Sequence, residues 1–198
     1  MHVPVLLDRC IELLGPALSA PDAILVDATL GLGGHSEAFL STFSDLTLVG
    51  VDRDPIALVK AGERLAKFGD RFVPRAGEHE NLASLLATVN GGRINAILFD
   101  LGVSSMQLDE PSRGFSYSRD APLDMRMNPQ DDLNAAQIVN TYSEAELVGV
   151  LRDFGEERSA RRIAKAIIAA RNNAPITSTA ELAELVRDAI PQAAKRTG

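Results

Sequence analysis

Three glycines in four residues, Gly31, Gly33 and Gly34, stand between a short apolar run, Ile24-Leu25-Val26, and a segment with helical spacing at Ala38, Phe39 and Leu40. Glycine permits positive φ and, lacking Cβ, lets a ligand lie against the backbone, while the first amides of a helix point at any anion held there. The stretch reads as a buried strand passing through a glycine turn into a helix, with cofactor binding as its chemistry. A tight connection with no ligand is the plainer alternative. Against it stands a second strand, Leu48-Val49-Gly50-Val51, which ends in Asp52. An acidic residue about 20 positions past the glycines is what a βαβ nucleoside site uses to accept both ribose hydroxyls. Another carboxylate, Asp100, closes the run Ile94-Asn-Ala-Ile-Leu-Phe and precedes Gly102, Ser104 and Ser105. That group suits a reacting centre beside the turn, or else a polar loop capping the next helix.

The elements that must position these residues alternate. Strands are predicted at 24–28, 47–51, 71–75 and 94–99, and helices at 35–43, 55–67 and 80–89, the second opening with Asp54 as cap and Pro55 at the first helical position. An amphipathic turn at Cys10–Leu14 precedes them. Strands repeating with intervening helices predict a doubly wound parallel α/β sheet, whose ligands bind beyond the carboxyl ends of the strands, where Asp27, Asp52 and Asp100 fall. From about residue 132 the strand patterns stop. Helices are predicted at 133–139, 144–153, 157–172 and 179–189, with capping boxes at Ser143/Glu146 and Ser178/Glu181. The expected organisation is a cofactor domain over 1–110, a connecting or lid loop over 111–131 and a helical domain over 132–198.

The charge is unevenly spread. Of a net −7, residues 1–110 carry 8 Lys/Arg against 15 Asp/Glu and residues 111–198 carry 12 against 12. That balance argues against a protein that coats nucleic acid, and any RNA contact is expected in the second half. Arg158, Arg161, Arg162 and Lys165 recur on one helix face opposite Ile163, Ile167 and Ala170. The face is either a phosphate-contacting surface or a solvated one bridged by Glu156 and Glu157. No segment has the roughly 18 apolar residues of a membrane span, and no signal pattern opens the chain, so a cytoplasmic protein is expected. The single cysteine, Cys10, sits among apolar residues as an inert thiol, which leaves no disulfide or cysteine metal site, and no metal cluster is apparent.

The stretches Asp27-Ala-Thr-Leu-Gly31-Leu-Gly33-Gly34-His35-Ser36, Asp52-Arg-Asp54-Pro55, Asp100-Leu-Gly-Val-Ser-Ser-Met-Gln107-Leu, Arg113-Gly-Phe-Ser and Pro122-Leu-Asp124-Met-Arg126-Met together resemble the bacterial small-subunit ribosomal RNA (cytidine-N4)-methyltransferase family. Gly155-Glu-Glu-Arg158 and Arg161-Arg-Ile-Ala-Lys-Ala-Ile are similar to its helical region. The resemblance implies a Rossmann-like S-adenosylmethionine-dependent enzyme with an inserted all-helical domain, methylating a cytidine of 16S ribosomal RNA near the decoding site. Carried over by position, its cofactor contacts fall on Gly33, Gly34, His35, Asp52, Asp100 and Gln107, and on His79, where relatives often have an aromatic residue. The resemblance also implies that the family's C-terminal part is lacking. Its partner is small-subunit ribosomal RNA or the assembling subunit, with no membrane, and a homodimer is allowed.

The exocyclic amine of cytosine is a poor nucleophile, because its lone pair is delocalised into the ring. An enzyme must hold it in line with the methyl group and accept hydrogen bonds from its N–H groups; Asp100, Ser104 and Ser105 are the candidates for this catalytic role, with Phe115 or Tyr117 to stack an unstacked base. Two other readings remain open: a nicotinamide-dependent oxidoreductase using the same βαβ site, weakened by Ser36 in the third glycine position, and a non-catalytic nucleotide- or RNA-binding module.

Overall fold

The computed structural model describes residues 4–190, and its contacts divide the chain into two compact units, with the division between Ser104 and Ser105. In the first unit the elements run α1 (Leu7–Leu18), β1 (Ile24–Asp27), α2 (Gly34–Thr42), β2 (Thr47–Asp52), α3 (Pro55–Leu65), β3 (Phe72–Ala76), α4 (Leu82–Leu86) and β4 (Ala96–Leu98). The strands form the expected parallel α/β sheet, in the order β3-β2-β1-β4. β1 is apolar on both faces and therefore central: Leu25 and Val26 are wholly buried. Alternation along the strands sends Leu25 and Leu48 to one face, with Phe39, Leu40 and Leu65, and sends Ile24, Val26, Val49 and Val51 to the other, with Leu86. β3 carries Pro74, whose missing N–H is tolerated at a sheet edge. At the other edge, among the described residues β4 pairs only with β1, and Ile97 and Phe99 stay exposed.

Two elements differ from their sequence patterns. The N-terminal amphipathic turn is a full helix, because Pro16 sits in the last turn of α1, where its missing N–H removes a single bond and Ser19 closes the end on the Gly15 carbonyl through both its N–H and its hydroxyl. It lays half-buried Cys10, Ile11 and Leu14 on the sheet. The helix expected at 80–89 shrinks to α4 behind a 3-10 turn at His79–Asn81, since Thr88 and Val89 are poor helix formers and Gly91 and Gly92 follow at positive φ. α3 begins as expected, with Asp54 Oδ1 accepting the Ile56 N–H at 2.9 Å.

The second unit is helical: α5 (Ser105–Asp109), α6 (Ala135–Thr141), α7 (Glu144–Asp153), α8 (Ala160–Arg171) and α9 (Thr179–Ala189). Leu123, Val139, Leu147, Ile163, Ala164, Ile167 and Ile176 form its core. Burying a side chain such as Ile163 contributes about 1.5–3 kcal/mol. Ser143 and Glu146 make the expected reciprocal box. Ser178 caps Glu181, but the Glu181 carboxylate accepts the N–H of Thr177 rather than that of Ser178. A further box, Asn134 with Gln137, opens α6. α8 begins later than its pattern suggests because Glu156 takes a left-handed φ of 50° and the Glu157 carboxylate accepts the Ser159 N–H. Among the described residues no helix is long and apolar enough to cross a membrane.

Candidate active site

β1, β2 and β4 lie side by side, so their carboxyl ends bring Asp27, Asp52 and Asp100 to one edge of the sheet. Each carboxylate is held differently. Asp52 Oδ2 accepts the Gly31 N–H at 2.8 Å and Oδ1 accepts the Asp54 N–H at 2.9 Å, so this side chain ties the glycine turn to the tip of β2. Burial pushes its carboxyl above the ordinary range, and the two amides pull it part of the way back. Asp27 is 2% exposed; its Oδ2 accepts the Ser36 hydroxyl at 2.7 Å and its Oδ1 the Thr29 N–H at 3.2 Å, and burial again raises its carboxyl. Asp100 remains half-exposed. Its backbone N–H donates to Thr29 Oγ1 at 2.7 Å, and its Oδ2 lies 3.9 Å from Nδ1 of His35.

His35, itself buried, has Nε2 2.9 Å from the Val5 carbonyl, to which it can only donate. That bond assigns a proton to Nε2 and turns Nδ1 toward Asp100. Gly33 adopts φ 71° and caps α2 with no side chain, which leaves the amides of the helix's first turn open to an anion. A Cβ at Gly34 would come within 2.8 Å of Pro4 Cγ, so this glycine also admits the N-terminal segment against the turn. His79 follows β3 and Phe99 follows β4, strands at opposite edges of the sheet. Their rings nevertheless meet edge-on at 6.3 Å, so the two loops converge above the carboxyl ends of the inner strands.

The structure therefore brings Gly33, Gly34, His35, Asp52, His79 and Asp100 around one edge. Ser104 ends the first unit, and the side chain of Ser105 lies outside the described residues. Gln107 is buried on α5 of the second unit. The sequence patterns passed over Thr29 and Ser36, the hydroxyls that lock the turn. The signal for Thr29 is the Asp-x-Thr spacing of a turn in which an aspartate accepts the N–H two residues on. No group of three or more His, Cys, Asp or Glu among the described residues is placed to hold a metal ion.

The raised carboxyl of Asp27 has a measurable consequence. Above its ordinary value the unfolded chain has released this proton while the folded chain still holds it, so Asp27's contribution is fully present below about pH 4 and declines as pH rises through the raised value. Asp27→Asn keeps an acceptor for the Thr29 N–H, reverses the Ser36 bond so that the amide donates to the hydroxyl oxygen, and removes the titration. In urea midpoints from about pH 4 upward, the wild type should lose stability relative to this variant; parallel curves would show that Asp27 does not titrate in that window.

The central segment, 111–131, is bonded to the helices that follow it. Leu123 N–H donates to Thr177 O, Thr179 N–H to Ala121 O and Ala136 N–H to Leu123 O, which build 121–123 into the second unit. Buried Arg113 donates to the carbonyls of Arg126 and Met127 and lies over the Phe115 ring, and Arg126 forms a two-pronged pair with Asp124. These two arginines and Phe115 hold the loop together, while Arg119 and Tyr117 are exposed. On α8, Arg161, Arg162 and Lys165, with Arg158 just before it, are exposed and form no ion pair among the described residues, so the bridged face envisaged with Glu156 and Glu157 is absent there.

Compared with known proteins, residues 1–198 match the profile of the MraW methylase family. The chain belongs to the MraW methylase family. It is 58% identical over 202 residues to the ribosomal RNA small subunit methyltransferase H of Mycolicibacterium smegmatis, covering 100% of this chain and 54% of that protein. The protein of the same name from Mycolicibacterium gilvum is 59% identical, with 100% and 53% covered, and that of Streptomyces avermitilis 53% identical, with 100% and 62% covered. The chain thus spans little more than half the length of these relatives. A solved rRNA methylase from Streptococcus thermophilus is 23% identical, with a TM-score of 0.40 over 62% of this chain and 72% of that one. Membership in a methylase family implies a methyl donor.

Proposed function

We propose that the chain carries the donor-binding part of an S-adenosylmethionine-dependent methyltransferase that acts on N4 of a cytidine in small-subunit ribosomal RNA, in the cytoplasm where that subunit is assembled. The observation that carries the reading is Asp52, whose carboxylate stands at the tip of β2 against the amide of Gly31. S-adenosylmethionine, when bound, supplies an electrophilic methyl group on a sulfonium. The residues present fit it. The open first-turn amides of α2 meet an amino-acid carboxylate, and the second lone pairs of Asp52 accept ribose hydroxyls. Asp100 contributes negative charge near a sulfonium, with Nδ1 of His35 3.9 Å from its Oδ2.

Asp100 also fits the task set by the target amine. Its backbone is fixed by Thr29 while its carboxylate stays half-exposed, so it can accept an N–H of the amine as the nitrogen becomes tetrahedral. Arg158, Arg161, Arg162 and Lys165, which form no ion pair among the described residues, give the second unit a cationic face for RNA phosphates. Calorimetry with S-adenosylhomocysteine and with NAD tests the cofactor: heat is expected with the first alone, and NAD binding without S-adenosylhomocysteine binding would favour a dehydrogenase. Mass spectrometry of ribosomal RNA from cells lacking the protein should show one cytidine of the small subunit without its N4-methyl group.

A further inference from the structure

The turn between α7 and α8 has features that donor binding does not use. Phe154 ends α7 with 86% of its surface exposed, although its N–H is bonded to the Val150 carbonyl at 3.1 Å and its backbone is helical. The residues that follow are tightly constrained. A Cβ at Gly155 would lie 2.7 Å from the Leu151 carbonyl oxygen, Glu156 sits at φ 50°, and the Glu157 N–H returns to the Leu151 carbonyl at 3.0 Å. The backbone of this turn thus directs the Phe154 side chain into solvent. Beside this turn is an open hollow of about 710 Å³, lined among others by Arg152, Glu156, Glu157, Arg158, Arg161 and Arg162. Arg152 pairs with Asp153 and the Glu157 carboxylate accepts the Ser159 amide, whereas Arg158, Arg161 and Arg162 have no ion-pair partner among the described residues.

We infer that this turn and hollow are a docking surface for an unpaired stretch of RNA, one base stacking on Phe154 and the neighbouring phosphates held by Arg158, Arg161 and Arg162. The inference rests on the RNA-methylating reading above and adds where, and in what form, the RNA is held. With Arg152 neutralised by Asp153, three arginines against two glutamates in the lining leave the hollow a positive excess that complements a phosphate backbone. An exposed aromatic ring on the same turn as a cluster of guanidinium groups is a combination that binds single strands, because every unpaired base offers a π face and a duplex hides it. A constrained turn also loses little backbone freedom on binding.

The test uses the whole chain and a labelled, unstructured oligouridylate, with fluorescence anisotropy followed across a salt series. Phe154→Ala should weaken binding roughly tenfold with an unchanged salt slope, and Phe154→Tyr should restore it. Replacing Arg158, Arg161 and Arg162 with Gln should lower the salt slope by about 2 units, at roughly 0.7 per phosphate contact on a single strand. Affinity for S-adenosylhomocysteine should stay constant in every variant, which shows that each is folded. Wild-type affinity and slope in both the Phe154→Ala and the arginine variants would overturn the inference, even if ribosomal RNA is methylated. So would loss of binding to small-subunit particles with normal binding to the oligouridylate, since the face would then dock a protein. If the oligouridylate behaves as expected and no RNA is methylated, the proposed activity falls and the docking surface stands.

Discussion

Asp52→Ala is expected to lower affinity for S-adenosylhomocysteine by at least about a hundredfold, because two ribose hydroxyls lose a charged acceptor worth about 1.5–3 kcal/mol each. The fold is affected as well: the same carboxylate accepts the amides of Gly31 and Asp54, so alanine leaves two partly buried donors without their partner and loosens the glycine turn. The variant should therefore also lose about 2 kcal/mol of stability, read from denaturant midpoints. Since burial raises the Asp52 carboxyl, wild-type affinity should fall on acidification at a higher pH than an ordinary aspartate would give, and the Ala variant should lack that dependence. Wild-type affinity in a folded Asp52→Ala protein would remove this residue from the site.

Gly114→Ala is expected to be among the most damaging changes that leave the donor site alone. Gly114 adopts φ 71°, and a Cβ there would stand 2.4 Å from the Pro122 carbonyl oxygen and 2.9 Å from the Asp124 amide nitrogen. Both neighbours are backbone atoms that cannot rotate away, and both belong to the segment whose bonds join Leu123 to Thr177 and Ala136. The left-handed conformation costs alanine about 1–2 kcal/mol, and moving that backbone adds to it, so a loss of more than about 3 kcal/mol is expected. Hydrogen exchange should locate the damage in the amides of Leu123, Met125 and Ala136. An unchanged melting temperature would mean that the segment repacks without cost.

The sheet was readable because β1, β2 and β4 are apolar runs that lead to Asp27, Asp52 and Asp100, a pattern that strands of a parallel sheet often show and few other elements imitate. The caps at Asp54 and Ser143 were readable for a similar reason, since partner and acceptor lie within a few residues. What local spacing cannot carry is the company a polar side chain keeps across the fold. Arg113 and Arg126 look from sequence like cations available to RNA, yet one is spent on two carbonyls and the other on Asp124. The link between Thr29 and Asp100 spans 71 positions and exists only because β1 and β4 are neighbours. Likewise, the amphipathic turn at Cys10–Leu14 does not show how far α1 extends, since proline breaks a helix interior whereas Pro16, in the last turn, interrupts little.

That neighbouring of β1 and β4 sets an order of assembly. β1 meets β2 after a short excursion, from Ile24 to Thr47, whereas the bonds that join β4 link Ile24 to Asn95, 71 positions away. Closing the longer loop costs about 1 kcal/mol more in chain entropy, and its contacts bring no return until most of the unit exists. The half of the donor site that holds Gly31 and Asp52 should therefore gain hydrogen-exchange protection before the half that holds Asp100 in a pulse-labelled refolding experiment. A ligand that needs both halves can then report the moment at which the last strand docks.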